Sequence, residues 1–175
     1  MPRLMLAVFV CGLALLIVSE GCQAPRGGSR RVGRHLTQSD QIRSVVCVYD
    51  DKRWLNLDRA GDRDPEGIRF RVFLDPGTGR GVLADGILHI EMYLIERLED
   101  GKIKRSLASD WHYPTSEVHV IAKPGMLGEG YFPHLRWSLK DIAGKEVEFI
   151  TEFEDHAGRR TRSSTKRLRV PKYAD

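Results

Sequence analysis

The sequence predicts an all-β domain, built as an antiparallel sandwich of two sheets. Apolar and polar residues alternate along most of the chain, as in IRFRVFL (68–74), so that each strand has one buried and one solvent-facing side. Clusters of turn-forming residues at 75–81, 99–102, 123–130 and 141–144 are typical of the connections between such strands. No segment of the domain has the 3.6-residue period that marks an amphipathic helix.

The alternating runs give the predicted strands. In chain order they are IRFRVFL (68–74), ILHIEMYLIERL (87–98), SEVHVIA (116–122), FPHLRWSLK (132–140), KEVEFITEFE (145–154) and RRTRSSTKRLRV (159–170), and the apolar stretch SVVCVYD (44–50) precedes them. The long, turn-rich segment 48–67 is predicted to be an ordered crossover loop pinned by Trp54, Leu55 and Leu57. Seven or eight strands at this spacing favour an immunoglobulin-like or transthyretin-like sandwich.

The last two predicted strands carry opposite charges and flank the turn DHAG (155–158), as expected of a hairpin. Acidic residues alternate along the first strand and basic residues along the second: Glu146, Glu148, Glu152 and Glu154, then Arg160, Arg162 and Lys166. Facing charges of this kind stabilise a strand pair by tenths of a kcal/mol each. The basic segment is therefore predicted to form a cross-strand ladder rather than a ligand site.

The N-terminus has the features of a secretory signal peptide. Arg3 supplies a positive charge, residues 4–18 form an uncharged apolar run, and Gly21 provides a small residue before Cys22. The run is shorter than the roughly 20 apolar residues that a membrane-spanning helix needs. We expect a signal helix over this region that is removed on export.

The stretch Ser19-Glu20-Gly21-Cys22 resembles the cleavage site of a bacterial lipoprotein precursor, although Ser19 stands where that family usually has Leu. The resemblance implies cleavage before Cys22 and acylation of that cysteine. Residues 1–21 would then be the signal peptide, 22–41 a lipidated, flexible tether and 42–172 the β-sandwich domain. It also implies a membrane-anchored protein of the cell envelope, periplasmic or surface-facing, and Gln23 favours the outer membrane by the family's sorting habit. Secretion without acylation and an uncleaved N-terminal anchor are the alternatives.

The charge layout argues against a nucleic-acid partner. Residues 42–158 hold 16 Lys and Arg against 21 Asp and Glu, whereas residues 159–172 hold seven Lys and Arg and no acid. A nucleic-acid binder would present a single basic face. Removal of Cys11 and acylation of Cys22 would leave Cys47 as the remaining thiol, so no internal disulfide is expected.

An acidic segment is the candidate calcium site. Four carboxylates crowd LDRAGDRDPEG (57–67), and calcium prefers hard oxygen ligands of this kind: Asp58, Asp62, Asp64 and Glu66. The spacing imitates the start of an EF-hand loop, but Phe73 occupies the position of its final Glu, so an EF-hand is excluded. The alternative is a solvated turn whose carboxylates cap backbone amides or pair with Arg59 and Arg63.

Two strand segments each project an imidazole and a carboxylate from one face. If these strands were neighbours, the four side chains would form a zinc-like or acid–base cluster: His89, Glu91, Glu117 and His119. Histidines scattered over a polar sheet face are the alternative. A separate aromatic set is a candidate ligand surface for a glycan or a peptide: Trp111, His112, Tyr113, Tyr131 and Phe132. Aromatic residues that anchor the core and the loops are the alternative.

No catalytic motif accompanies these features: the sequence lacks Gly-x-Ser-x-Gly, a Walker loop and a dinucleotide-binding glycine pattern. We therefore expect a lipid-anchored extracytoplasmic β-sandwich with a non-catalytic binding or structural role, whose partner is an envelope protein or glycan. No cofactor is expected unless the acidic segment holds calcium. A metal-assisted hydrolase and a calcium-stabilised adhesion module are the alternatives.

Overall fold

The structure is a computed structural model that describes residues 41–57, 64–123, 127–139 and 141–173. The predicted signal helix, Cys22 and nearly all of the tether lie outside these residues. The described chain consists of antiparallel β-strands and one short 3₁₀ helix, Thr115–Glu117, so the all-β prediction is confirmed. No helix in this part of the chain is long and apolar enough to cross a membrane.

The strands follow one another with short connections. In chain order they are β1 (Ser44–Val48), β2 (Trp54–Leu55), β3 (Gly67–Arg69), β4 (Arg71–Asp75), β5 (Gly86–Arg97), β6 (Ile103–Pro114), β7 (Val120–Lys123), β8 (Gly128–Tyr131), β9 (His134–Arg136), β10 (Glu146–Asp155), β11 (Arg160–Arg162) and β12 (Lys166–Arg169). Strand β2 lies in the segment predicted as a loop, and β8 begins within a predicted turn cluster. Strand β6 was not predicted.

Three hydrogen-bonded sheets result. The four-stranded sheet has the order β1-β4-β8-β7 and the three-stranded sheet the order β2-β3-β9. In the five-stranded sheet the order is β11-β10-β5-β6, and β12 also pairs with β10.

The two smaller sheets share a single register. Ile68 pairs with Leu135 in the three-stranded sheet, and Val72 pairs with Tyr131 in the four-stranded sheet. The two pairs are separated by the same number of residues on each chain segment, so one antiparallel register describes both sheets. The chain interrupts its hydrogen bonding at Phe70 and again between β8 and β9, and these breaks divide what would otherwise be one sheet. The result is a β-sandwich-like arrangement in which these strands pack opposite the five-stranded sheet.

The core lies between these layers, as the alternation predicted. Ile68, Phe70, Val72 and Leu74 are all fully buried, whereas Arg69 between them is partly exposed. The five-stranded sheet contributes the buried side chains Leu88, Ile90, Met92, Val147, Phe149 and Phe153.

Aromatic rings connect the layers. Phe70 packs on Phe149 of β10 with ring centroids 6.2 Å apart, and it stacks on Tyr49 at 4.7 Å. The indole N–H of Trp111 on β6 donates to the carbonyl oxygen of Arg136 on β9 over 2.9 Å. Because Trp111 and Arg136 belong to different sheets, this hydrogen bond links them.

Strands β5 and β6 form a long hairpin with one irregularity. Tyr93 pairs with Leu107 and Met92 pairs with Ser109, so Ala108 is an extra residue on β6. Such a bulge moves every later side chain of its strand to the opposite face. Leu107 therefore faces solvent on one side of the sheet, whereas Trp111, four residues later, packs against the core.

Candidate functional site on the outer face of the five-stranded sheet

We call the solvent-facing side of the five-stranded sheet the outer face. Side chains that alternate with the core residues of β5 and β10 lie on it, together with partners from β6, β11 and β12. Most of these side chains are charged or are histidines. Two groups of them have a geometry that suggests binding: a cleft lined by arginines and a pair of facing histidines.

The predicted charge ladder forms along one edge of this face. Glu152 pairs in register with Arg162, and Glu154 pairs with Arg160. The Arg160 Nη2 to Glu154 Oε2 distance is 2.7 Å, and Arg162 Nε lies 3.4 Å from Glu152 Oε1. The hairpin and its ladder are thus confirmed.

One member of the predicted ladder was wrong. Lys166 pairs with Phe149, and it is Arg167 that lies opposite Glu148 and Arg169 that lies opposite Glu146. The connection between β11 and β12 contains one residue more than it would if both strands paired with β10 in one continuous register. This extra residue reverses which side chains of β12 share the outer face.

Glu148 is the most buried charge of the outer face. Its carboxylate accepts from Arg167 Nε at 2.8 Å and lies 2.9 Å from Arg105 Nε. The Arg105 guanidinium also lies over the ring of Tyr93, 3.4 Å from the ring centroid. Two guanidinium groups thus compensate a carboxylate that would be costly to bury alone.

A cleft of about 320 Å³ opens at one end of the outer face. Its lining combines three arginines with one acidic residue: Arg97, Arg167 and Arg169 with Glu146, completed by Gly144 and Leu168. Arg169 Nε donates to the carbonyl oxygen of Gly144 over 3.1 Å, and Arg97 Nη2 is 4.0 Å from Glu146 Oε2. The lining therefore has a surplus of positive charge. The basic run 159–172 was a sequence signal for two of these arginines, but nothing indicated that Arg97 would join them.

The second feature is the histidine pair at the other end of β5. Register places His89 directly opposite His112, and their Nδ1 atoms are 2.7 Å apart. The two rings are nearly perpendicular, at 85°. Each Nε2 lies 2.9 Å from a carboxylate, Glu154 Oε2 for His89 and Asp110 Oδ2 for His112.

These contacts differ from the predicted histidine cluster. His89 and Glu91 lie on the outer face of β5, whereas Glu117 ends the 3₁₀ helix and His119 follows it, exposed. Within the described residues, no three His, Cys, Asp or Glu side chains form a group that could hold a metal ion. The structure brings His89 together with His112 instead.

The acidic segment is described only in part. Asp58 and Asp62 lie outside the described residues. Glu66 is partly buried, and its Oε2 lies 4.0 Å from Arg136 Nη2. Asp64 is exposed. Calcium binding by these four residues stays a prediction.

The predicted aromatic surface is divided between two faces. Trp111 and Tyr113 pack against the core, whereas His112 between them faces outward. Tyr131 is buried, and its hydroxyl donates to the Ala84 carbonyl at 2.8 Å. Phe132 packs edge-on against His134, with centroids 4.9 Å apart. These side chains mostly anchor the fold.

Cys47 has the surroundings of a structural residue. It is a free thiol on β1, partly covered by the core, and burial raises its pKa to about 11. The thiol is therefore protonated at neutral pH, and a protonated thiol is a poor nucleophile.

No family model matches this sequence, and neither curated proteins nor solved structures give a significant match.

Proposed function

We propose that this chain is a lipid-anchored extracytoplasmic β-sandwich that binds an anionic group of an envelope component without catalysing a reaction. The arginine-lined cleft is the observation that carries the proposal. The anchor rests on the sequence of residues 1–22, and the sandwich is of an immunoglobulin-like or transthyretin-like type. Shared register between the two smaller sheets supports a two-layer arrangement of that kind.

The cleft suits a carboxylate, phosphate or sulfate. A guanidinium presents five N–H donors in a planar fork that matches such groups. Arg169 is held by Gly144 and Arg167 by Glu148, so these two are oriented before a ligand arrives. The Arg97 side chain is 74% exposed and is therefore able to close over a ligand. Charge-assisted hydrogen bonds of this kind contribute about 1.5–3 kcal/mol each.

A non-catalytic role fits the described side chains better than the alternatives. The Cys47 thiol is protonated and partly covered, which argues against nucleophilic catalysis. Among the described residues, the four side chains expected for the hydrolase, His89, Glu91, Glu117 and His119, do not form one group that could hold a metal ion. The calcium-stabilised adhesion module depends on Asp58 and Asp62, which lie outside the described residues. Both remain expectations from sequence.

We predict that the double variant Arg97→Ala/Arg169→Ala weakens binding of anionic probes at least tenfold. The probes are inorganic phosphate, vesicles containing an acidic phospholipid, and a carboxylated glycan, each measured by titration calorimetry at 0.15 M salt. If the double variant weakens binding of only the glycan or only the vesicles, that probe identifies the source of the anionic group.

The matched control removes the same charge elsewhere. Lys102→Ala/Lys104→Ala changes two exposed cations, one just before β6 and one on it, which pair with Asp100 and Glu96. We expect this control to leave binding within twofold of the original. Equal weakening by both double variants would mean general charge attraction and would contradict a cleft-specific site.

The anchor has its own test. We predict that Cys22→Ser abolishes incorporation of a labelled fatty acid when the full chain is expressed in a bacterium, and releases the protein from the membrane fraction. Cys47→Ser is the matched control and should keep the label, because that thiol is partly covered within the domain. Label retained by Cys22→Ser would disprove acylation at this residue.

A further inference from the structure

We propose that His89 and His112 together bind a divalent transition ion of the zinc class through their Nδ1 atoms. The proposal is independent of the arginine cleft, because His89 and Arg97 are eight residues apart on β5, or about 26 Å at the rise of a strand.

The two Nδ1 atoms face each other at 2.7 Å, a distance at which two lone pairs cannot meet unless something lies between them. In the absence of an ion, one imidazole must donate a proton and the other accept it. An ion offers the second way to satisfy both atoms. Two nitrogens at about 2.0–2.1 Å from a tetrahedral zinc are about 3.4 Å apart. The pair would need to open by roughly 0.7 Å, which small side-chain rotations provide.

The surroundings of the outer ring nitrogens resemble those of metal-bound histidines. A histidine that ligates a metal usually turns its other ring N–H toward a carboxylate, which fixes the tautomer and strengthens the ligand. Glu154 and Asp110 occupy these positions, each 2.9 Å from an Nε2. The His89 to Glu154 contact has the distance of an ion pair, and His89 Nε2 is buried without a well-formed hydrogen bond. Binding through Nδ1 would place the proton on this Nε2, beside Glu154.

The local charge favours a cation. Three carboxylates lie on the pair or next to it: Glu154, Asp110 and Glu91, which is the register partner of Asp110. Arg160 is the neighbouring cation and is bound to Glu154 at 2.7 Å. A dication would offset the surplus negative charge, whereas a single shared proton offsets only part of it.

The site is open toward solvent. His112 is 58% exposed and His89 is 16% exposed in their side chains, so an ion can reach both rings. Since the described residues supply two imidazoles and no third converging ligand, water or an external group would complete the coordination. Imidazole ligands favour zinc, copper and nickel over magnesium and calcium.

The test is titration of the full chain, stripped with a chelator, with Zn²⁺ at pH 7.5 by calorimetry. We expect saturable binding of one ion per chain at this pair, a melting temperature that rises by a few degrees at saturation, and no response to Mg²⁺. His112→Ala should weaken this binding at least tenfold, and so should His89→Ala. At pH 5 binding should fall similarly, because protons compete with the ion for the imidazole nitrogens.

The matched control is His119→Ala, which removes an exposed histidine outside the pair. It should bind Zn²⁺ as the unaltered chain does. If His89→Ala fails to fold, the more exposed His112→Ala still decides the question. Binding of Zn²⁺ that survives His112→Ala, or no saturable binding at pH 7.5, would overturn the proposal and leave a proton shared between the two rings.

Discussion

Replacing Phe149 with alanine is expected to lower the free energy of unfolding by about 3–5 kcal/mol. Phe149 is fully buried on β10, and its ring lies 6.2 Å from Phe70 and 6.3 Å from Tyr49, which belong to the opposite layer. The substitution removes one ring of a cluster of three aromatic side chains that spans the two layers, and it leaves a cavity. Urea unfolding monitored by far-ultraviolet circular dichroism measures the loss.

The matched control is Phe132→Ala. That ring is only partly buried, and it packs edge-on against His134, away from the contact between layers. Its removal should cost about 1 kcal/mol, the typical cost of a substitution outside the core. Equal losses from the two substitutions would show that the layers are not joined through Phe149.

Gly128→Ala is the second substitution with a large expected effect, about 2–5 kcal/mol. Gly128 has φ +76°, a conformation that costs about 1–2 kcal/mol for an alanine. A Cβ there would also meet the carbonyl oxygen of Gly81, because the two glycines form a backbone bridge between their segments. Separating these segments adds the cost of overpacking, about 1–3 kcal/mol. Chemical denaturation measures the sum.

Gly101→Ala separates the two contributions. Gly101 has φ +79°, yet a Cβ would find nothing within 4 Å, so only the backbone term of about 1–2 kcal/mol applies. The difference in the free energy of unfolding between Gly128→Ala and Gly101→Ala estimates the cost of separating Gly81 from Gly128. No difference would mean that the two segments separate without cost.

The sequence predicted the fold wherever the period of two is unbroken. Leu88 to Met92 alternate without interruption, and their buried face is the one expected. In 68–74 the expected face is also buried, but Phe73 on the opposite side is buried with it. Strand β6 escaped prediction because its period breaks at Ala108: Leu107 faces solvent, whereas Trp111 packs inward. The side of the strand that carries the apolar residues changes at the bulge, so a pattern of alternating apolar and polar residues is not visible along the whole strand.

The two candidate sites depend on pairings that alternation cannot supply. His89 was recognised as an outward-facing histidine, but its partner His112 is 23 residues away and was assigned to an aromatic surface. Which residue lies opposite another depends on the turn and on every bulge between them. The cleft could not be predicted for the same reason, because Arg97 and Arg169 come from strands that lie on opposite sides of β10.

The register of β6 beyond the bulge at Ala108 determines two features together: the inter-sheet hydrogen bond of Trp111 and the pairing of His89 with His112. If Ala108 were instead paired with Met92, the register of Tyr93 with Leu107 would continue along β6, and His89 would lie opposite Trp111. The tryptophan would then leave the interior, and His112 would turn inward in its place. In evolutionary terms, deletion of the Ala108 codon would keep both the inter-sheet hydrogen bond and the histidine pair, because Ser109 would then follow Leu107 and still pair with Met92. Point substitutions can change either feature alone, whereas a one-residue slip of β6 along β5 would lose both together.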